Sequence, residues 1–262
     1  MPDPFSRLLQ ALPLPAGYQL TEQGCYRYRL NGQLQAITEP WIKAQNSEGQ
    51  CLTQSARFIE HLQAALLVTQ RQQSPQFCAQ NPSVPGNFYS EIRWQQQGHN
   101  DISALYQFCQ QTRQLQLLRT DDTGLSNSQL HKPEAFLYFP LLRVFSGQVI
   151  QQLALSGPLS TLVPDINKPA DRTTLLQPTE TVRSSTLIAE EVIEMGGQPY
   201  RAQRYRYLSE RYQAQDDASF WIDNKGLLLK YHWQQNPQQF WQVELETDPS
   251  HIPTLNPQDF LC

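Results

Sequence analysis

The chain reads as a mainly β protein, a strongly curved antiparallel meander or half-barrel with one central helix. The clearest sign is the segment Phe220-Trp221-Ile222-Asp223-Asn224-Lys225-Gly226-Leu227-Leu228-Leu229-Lys230-Tyr231-His232-Trp233, where two β-rich runs flank a turn. A Tyr/Arg alternation occurs twice, as Tyr26-Arg27-Tyr28-Arg29 and as Arg204-Tyr205-Arg206-Tyr207, and a period of two sends successive side chains to opposite faces of a sheet. Asn31-Gly32 follows the first of these, and both residues accept the positive φ of a type I′ hairpin turn.

Taken in order, residues 4–12 form a helix-like turn with Phe5, Leu8, Leu9 and Leu12 on one side, closed by Pro13 and Pro15. The strand through Tyr26 to Leu30 returns from Leu34 to Trp41, and a turn at Asn46–Gly49 leads to a strand from Cys51 to Phe58. Residues 59–73 fit a helix, through Ile59, Leu62, Leu66 and Leu67, or a strand ending in Leu67-Val68-Thr69. Phe88 to Trp94 is a strand. Ala104 to Leu118 is one or two strands, or a helix and a strand, and 121–128 is a loop.

The middle is different. From Ala135 to Pro164 the only formal charge is Arg143. Pro140 suits a first helical turn, and Leu142, Phe145, Val149 and Leu153 recur on one face until Ser156-Gly157-Pro158. This helix either packs on a sheet or forms a lid over an apolar cavity. A membrane-surface role lacks the Lys and Arg its polar side would need. After prolines at 164, 169 and 178, strands follow at Thr186–Glu194 and Tyr200–Tyr207, with Gly196-Gly197 turning the chain between them. In the hairpin, Leu227, Leu229, Tyr231 and Trp233 share one face, and Leu228, Lys230 and His232 the other. Phe240 to Leu245 is the last strand, with Trp241, Val243 and Leu245 inward, and 247–262 is an irregular tail. The expected organisation is one domain over 1–262, its β-rich halves at about 20–120 and 180–246 joined by a helix-containing segment at 135–160.

Composition narrows the function classes. Of 262 residues 39% are hydrophobic and 10% aromatic, too many for a disordered chain. Charged residues reach only 17%, and Gln takes much of their place. A net charge of -4 opposes a dedicated nucleic-acid binder. The five Cys lack C-x-x-C or zinc spacing, which suits reduced thiols. The start lacks the pattern of a signal peptide, and no apolar run is long enough to span a bilayer, so the expected location is cytoplasmic.

No residue pattern announces catalysis. The five His are scattered, and there is no G-x-S-x-G, P-loop, G-x-G-x-x-G or H-E-x-x-H. The acid pairs Asp121-Asp122, Asp216-Asp217 and Glu190-Glu191 sit beside turns, where carboxylates bond to the backbone. An enzyme would need Asp216, Asp217 or Asp223 to converge with a His. The expectation is a chain without catalytic residues, bound metal, cofactor or nucleic acid. The Arg/Tyr strands could stack RNA bases, but alternation explains them as Tyr inward and Arg outward. What remains is an aromatic-rich sheet face that must be covered, by the helix or by an apolar ligand.

The run Phe220-Trp221-Ile222-Asp223 followed by Gly226-Leu227-Leu228-Leu229-Lys230-Tyr231 resembles an F-W-x-D-x-x-G-L-x-x-x-Y hairpin of uncharacterised bacterial β-meander proteins. Those are similar to the LolA/LolB-like half-barrels of lipoprotein carriers and to glycolipid-binding proteins. The resemblance covers about residues 180–246, with a looser match at Tyr26 to Trp41. It implies an open barrel that holds acyl chains or another apolar molecule, with a helix at its opening. The sequence shows no leader or lipobox Cys, a departure from the periplasmic carriers, so an envelope transport role is not expected.

The expected function is therefore non-enzymatic: a lipid-like or other hydrophobic ligand held against Tyr205, Tyr207, Tyr231, Trp233 and Trp241, and closed by Leu142, Phe145 and Val149. The alternative is an interaction or scaffold module whose sheet edge or Gln-rich face docks a protein partner.

Overall fold

The computed structural model describes residues 12–59, 62–73, 86–132, 134–209 and 218–246. Strands β1 (Tyr18–Leu30), β2 (Gln33–Asn46), β3 (Gln50–Ile59), β4 (Ala64–Gln73), β5 (Phe88–Gln96), β6 (Ile102–Cys109), β7 (Gln114–Asp121) and β8 (Gly124–His131) run outward as an antiparallel meander. Then come β9 (Phe136–Tyr138), helix α1 (Arg143–Ser156) and β10 (Leu159–Pro164). Strands β11 (Pro178–Met195), β12 (Gln198–Ser209), β13 (Ser219–Ile222), β14 (Leu228–Asn236) and β15 (Gln239–Leu245) run back to the start. All belong to one 15-stranded sheet, ordered β8-β7-β6-β5-β4-β3-β2-β1-β15-β14-β13-β12-β11-β10-β9. Pairing of β1 with β15, from Tyr26↔Leu245 to Leu30↔Trp241, joins the two wings, and β9 pairs in parallel with β10 across α1.

Local chemistry explains most of these boundaries. Asn31 and Gly32 have φ of 51° and 79°, the left-handed pair that a two-residue hairpin demands. Residues 64–73 resolve as strand β4, because β3 and β5 hydrogen-bond it on both sides and outweigh its helical spacing. Residues 104–118 contribute to two strands, β6 and β7. The expected loop at 121–128 is instead a tight turn and most of β8, whose residues are nearly all exposed and so carry no apolar alternation. The turn expected over residues 4–12 lies, but for Leu12, outside the described residues, as does the expected tail.

A sheet this wide must curl, since every strand adds right-handed twist. Register shifts between Leu20 and Glu22, Arg27 and Arg29, and Leu187 and Ala189 bend it further. The chain also holds its two outer edges together. His131 ends β8 and Phe136 begins β9, so the edges lie within about 19 Å, five steps of about 3.8 Å. Yet β9 does not pair with β8. It tucks against the inner face of β5 and β6, where Phe136 meets Phe108 edge-on at 5.0 Å and Tyr138 stacks on Phe88 at 4.5 Å. The Tyr138 hydroxyl donates to Ser90 Oγ at 3.0 Å. Curvature thus brings the side chains of β9 onto the concave face of β5 and β6 while the sheet stays open between β8 and β9.

The inner face carries the main core. Phe88, Ser90, Ile92 and Trp94 of β5 are buried and alternate with more open neighbours, and Ile102, Ala104, Tyr106 and Phe108 of β6 do the same. Helix α1 fills part of the concavity, with Leu142, Val144, Phe145 and Ile150 in this core. Segment 165–177 fills another part. The Tyr106 hydroxyl donates to the Leu176 carbonyl at 2.6 Å, and Arg119, inward on β7, donates to the carbonyls of Leu175 at 2.8 Å and Arg172 at 2.7 Å. An inward Arg is tolerated because its donors are taken and Asp121 pairs its charge. No helix among the described residues is long and apolar enough to cross a membrane.

Two details differ from the simple alternation. A bulge between Trp221 and Ile222, opposite Leu228 and Lys230, shifts the register of the hairpin. Leu228 therefore joins Tyr231 in the inner core, while Leu229 packs with Met195 and Ala202 on the other face, the reverse of the strict period-two expectation. Strand β11 also runs past β10, which covers only Pro178–Arg183. Leu187, Ile188 and Val192 are exposed beyond that point.

Candidate functional site

Where the wings face each other, a buried carboxylate organises the start of α1. Glu39 on β2 is fully buried. Its Oε2 accepts hydrogen bonds from the Tyr28 hydroxyl at 2.6 Å and from Arg57 Nε at 2.9 Å. Its Oε1 accepts the backbone N–H of Arg143, the first residue of α1. Leu142 at the N-cap supplies no side-chain oxygen, so Glu39 takes over the capping role from a distant strand and lies at the positive end of the helix dipole. Burial pushes the Tyr28 phenol up to about 12, which keeps it a neutral donor.

Two more guanidinium groups stand close by. Arg143 lies over the Tyr231 ring at 4.7 Å. Arg183 on β11 donates to the Tyr207 hydroxyl and, at 3.1 Å, to Thr181 Oγ1, and it lies over the rings of Phe139 and Tyr207 at 5.6 and 5.7 Å. Cation–π contacts of this kind stabilise a cation modestly and leave its charge uncompensated. Among the described residues neither Arg143 nor Arg183 forms an ion pair with a carboxylate.

These groups line a cavity of about 250 Å³. One wall is aromatic, from Tyr207, Phe220, Tyr231 and Trp233 on β12–β14, with Phe220 packed against Tyr231 at 4.4 Å and edge-on to Tyr207 at 5.4 Å. Phe139 and Leu141 before α1, Val163 of β10 and Ile166 just past it complete the apolar lining. Arg57, Arg143 and Arg183 supply the charge. A chamber of about 30 Å³, room for one water-sized group, is lined by Arg143, Ser146, Val149, Tyr207 and Phe220 among others.

Of the residues expected from sequence, Tyr207, Tyr231 and Trp233 line the cavity and Val149 lines the small chamber. Leu142 and Phe145 are buried in the core and are not among the lining residues of either hollow. Tyr205 is also core, its hydroxyl donating to Gln203 Oε1 at 2.8 Å, and Trp241 packs at the core margin with its Nε1 on Gln235. The arginines and Glu39 escaped the sequence reading. Arg143 alone left a trace there, as the single charge in an apolar stretch. Asp223 Oδ1 accepts the N–H groups of Lys225 and Leu227 at 2.9 and 2.8 Å, a turn role, and Asp216 and Asp217 lie outside the described residues. No group of His, Cys, Asp and Glu among the described residues is placed to hold a metal.

On the outer face, His232 lies between the rings of Trp221 and Phe240. Burial first, then Lys230, pushes its pKa from 6.5 down to about 4, against a smaller opposing pull from Glu244. Between those two pH values the unfolded chain binds a proton that the folded chain refuses, so stability falls as pH drops through 6.5 and keeps falling to about 4. Denaturant midpoints measured across this window should decline less steeply for His232→Gln than for the natural chain. Parallel declines would show that His232 does not titrate this way.

No protein-family model matches the chain, and no curated protein matches it in sequence. Among solved structures, it is similar to a β-barrel-like protein of the domain of unknown function DUF1849 from Brucella abortus, at 10% identity and a TM-score of 0.47 over 86% of this chain and 95% of that one. It is also similar to the hypothetical lipoprotein YmcC from Escherichia coli, at 10% identity and a TM-score of 0.27 over 87% and 88% of the two chains. A DUF1329 family protein from Desulfovibrio piger matches at 8% identity and a TM-score of 0.25, over 93% of this chain and 90% of that one. These TM-scores lie below 0.5, so the likenesses fix no detail of this chain's fold or site.

Proposed function

We propose that this chain is a non-enzymatic binding protein that holds a lipid-like or other hydrophobic ligand in the hollow of its rolled sheet. The observation that carries this reading is the aromatic lining of the cavity, where the half-buried Tyr207 and Trp233 stand beside the core rings Phe220 and Tyr231. Closed interiors pack to crystal-like density, whereas a concave hollow lined by rings and a few polar groups is the usual form of a small-molecule site. The cavity volume, just under the usual range for small-molecule sites, suits one narrow ligand or one end of a longer chain.

Native mass spectrometry of the purified protein, followed by solvent extraction, tests the reading. The expected result is an apolar molecule released on denaturation, and its loss in Ala218→Trp, which places an indole in the cavity beside Phe220. A natural chain that carries no ligand and takes up no added alkyl compound would overturn it.

A further inference from the structure

The cavity is mostly aromatic and aliphatic in its walls, with three guanidinium groups set among the rings. Arg57, Arg143 and Arg183 bring three positive charges and Glu39 one negative charge, which leaves an excess of two (3 − 1 = 2). Glu39 is already committed to Arg57, Tyr28 and the backbone of Arg143. Arginine does not shed its proton at any ordinary pH, so this excess cannot be removed by neutralising the side chains. Among the lining residues no carboxylate stands beside Arg143 or Arg183, and an anionic oxygen would compensate that charge while accepting from a guanidinium.

We infer that the cavity selects a single-tailed amphipathic anion, with a carboxylate or phosphate head at Arg143 and Arg183 and an apolar tail against Trp233, Val163 and Ile166. This rests on the binding function proposed above and adds the head-group chemistry. The size supports one tail: about 250 Å³ holds roughly eight water-sized groups at about 30 Å³ each.

Calorimetric titration with decanoate, decyl phosphate, decanol and decyltrimethylammonium, each below its micellar concentration, tests the inference. At least one of the two anions should bind about tenfold or more tightly than decanol, and the cation should bind most weakly. Whichever anion binds more tightly identifies a carboxylate or a phosphate head. Arg183→Gln, at the partly exposed side of the cavity, should weaken the anions about tenfold while leaving decanol unchanged, and Arg183→Lys should restore part of the loss. Arg143→Gln should act in the same direction. Equal affinity for decanol and both anions in the natural chain would overturn the head-group assignment and leave the hydrophobic cavity standing. Failure of all four compounds to bind would remove both.

Discussion

Glu39→Ala is expected to destabilise the protein by about 3–5 kcal/mol, the usual cost of stripping one partner from a buried ion pair. The carboxylate is fully buried and joins three elements: β1 through Tyr28, β3 through Arg57, and α1 through the backbone of Arg143. Removing it leaves the Arg57 guanidinium, 13% exposed, without its counter-charge in a place water scarcely reaches, and strips α1 of its cap. Glu39→Gln should lose nearly as much, because an amide has one acceptor oxygen where the site presents several donors. The double variant Glu39→Met/Arg57→Met separates this cause from a general packing defect. With the second charge also gone, most of the loss should return. Denaturant midpoints measure all three, and a Glu39→Ala midpoint within about 1 kcal/mol of the natural chain would mean that the ion pair is already solvated.

This cluster also marks the boundary of what the sequence could reveal. Arg57 and Arg143 are 86 positions apart (143 − 57), and Arg183 comes from a third region. They share a cavity only because the sheet rolls. Rolling arises from accumulated twist, bulges and the short β8–β9 link, none of which leaves a local pattern. The individual strands were legible wherever one face is buried: Phe88, Ile92 and Trp94, or Tyr26 and Tyr28, alternate because water lies on one side only. Strand β8 was not, since Ser126, Asn127, Ser128 and Gln129 meet solvent on both faces. Strand β9 is only three residues long, and its Phe136 and Tyr138 read equally well as the lead-in to a helix. The hairpin at Phe220 predicted the aromatic wall, but its bulge moved Leu229 to the other face. Alternation fixes a face only as long as the register stays unbroken.

The same hairpin sets the position of α1, and here a single methyl group should be felt. A Cβ on Gly147 would lie 2.2 Å from the carbonyl oxygen of Gly226 and 3.2 Å from Ile222 Cγ2. Intrinsic propensity favours Ala over Gly inside a helix by about 1 kcal/mol, so an open site would gain stability from Gly147→Ala. The clash opposes this. Overpacking costs about 1–3 kcal/mol, and more when the neighbour cannot yield. Here the neighbour is the backbone of a tight turn, pinned by the bonds of Asp223 to Lys225 and Leu227 and by Gly226 at a φ of 81°. The expected net effect is a loss of about 2 kcal/mol or more, larger still for Gly147→Val. The helix would have to move away from β13 and β14, carrying Arg143 off Tyr231 and Ser146 out of the chamber. Anion affinity should therefore fall together with stability. Leu155→Ala, at an exposed site on the same helix, serves as the control and should stay within about 0.5 kcal/mol of the natural chain. A Gly147→Ala chain at least as stable as the natural one would show that α1 is free to slide on the hairpin and that this contact does not set the cavity's shape.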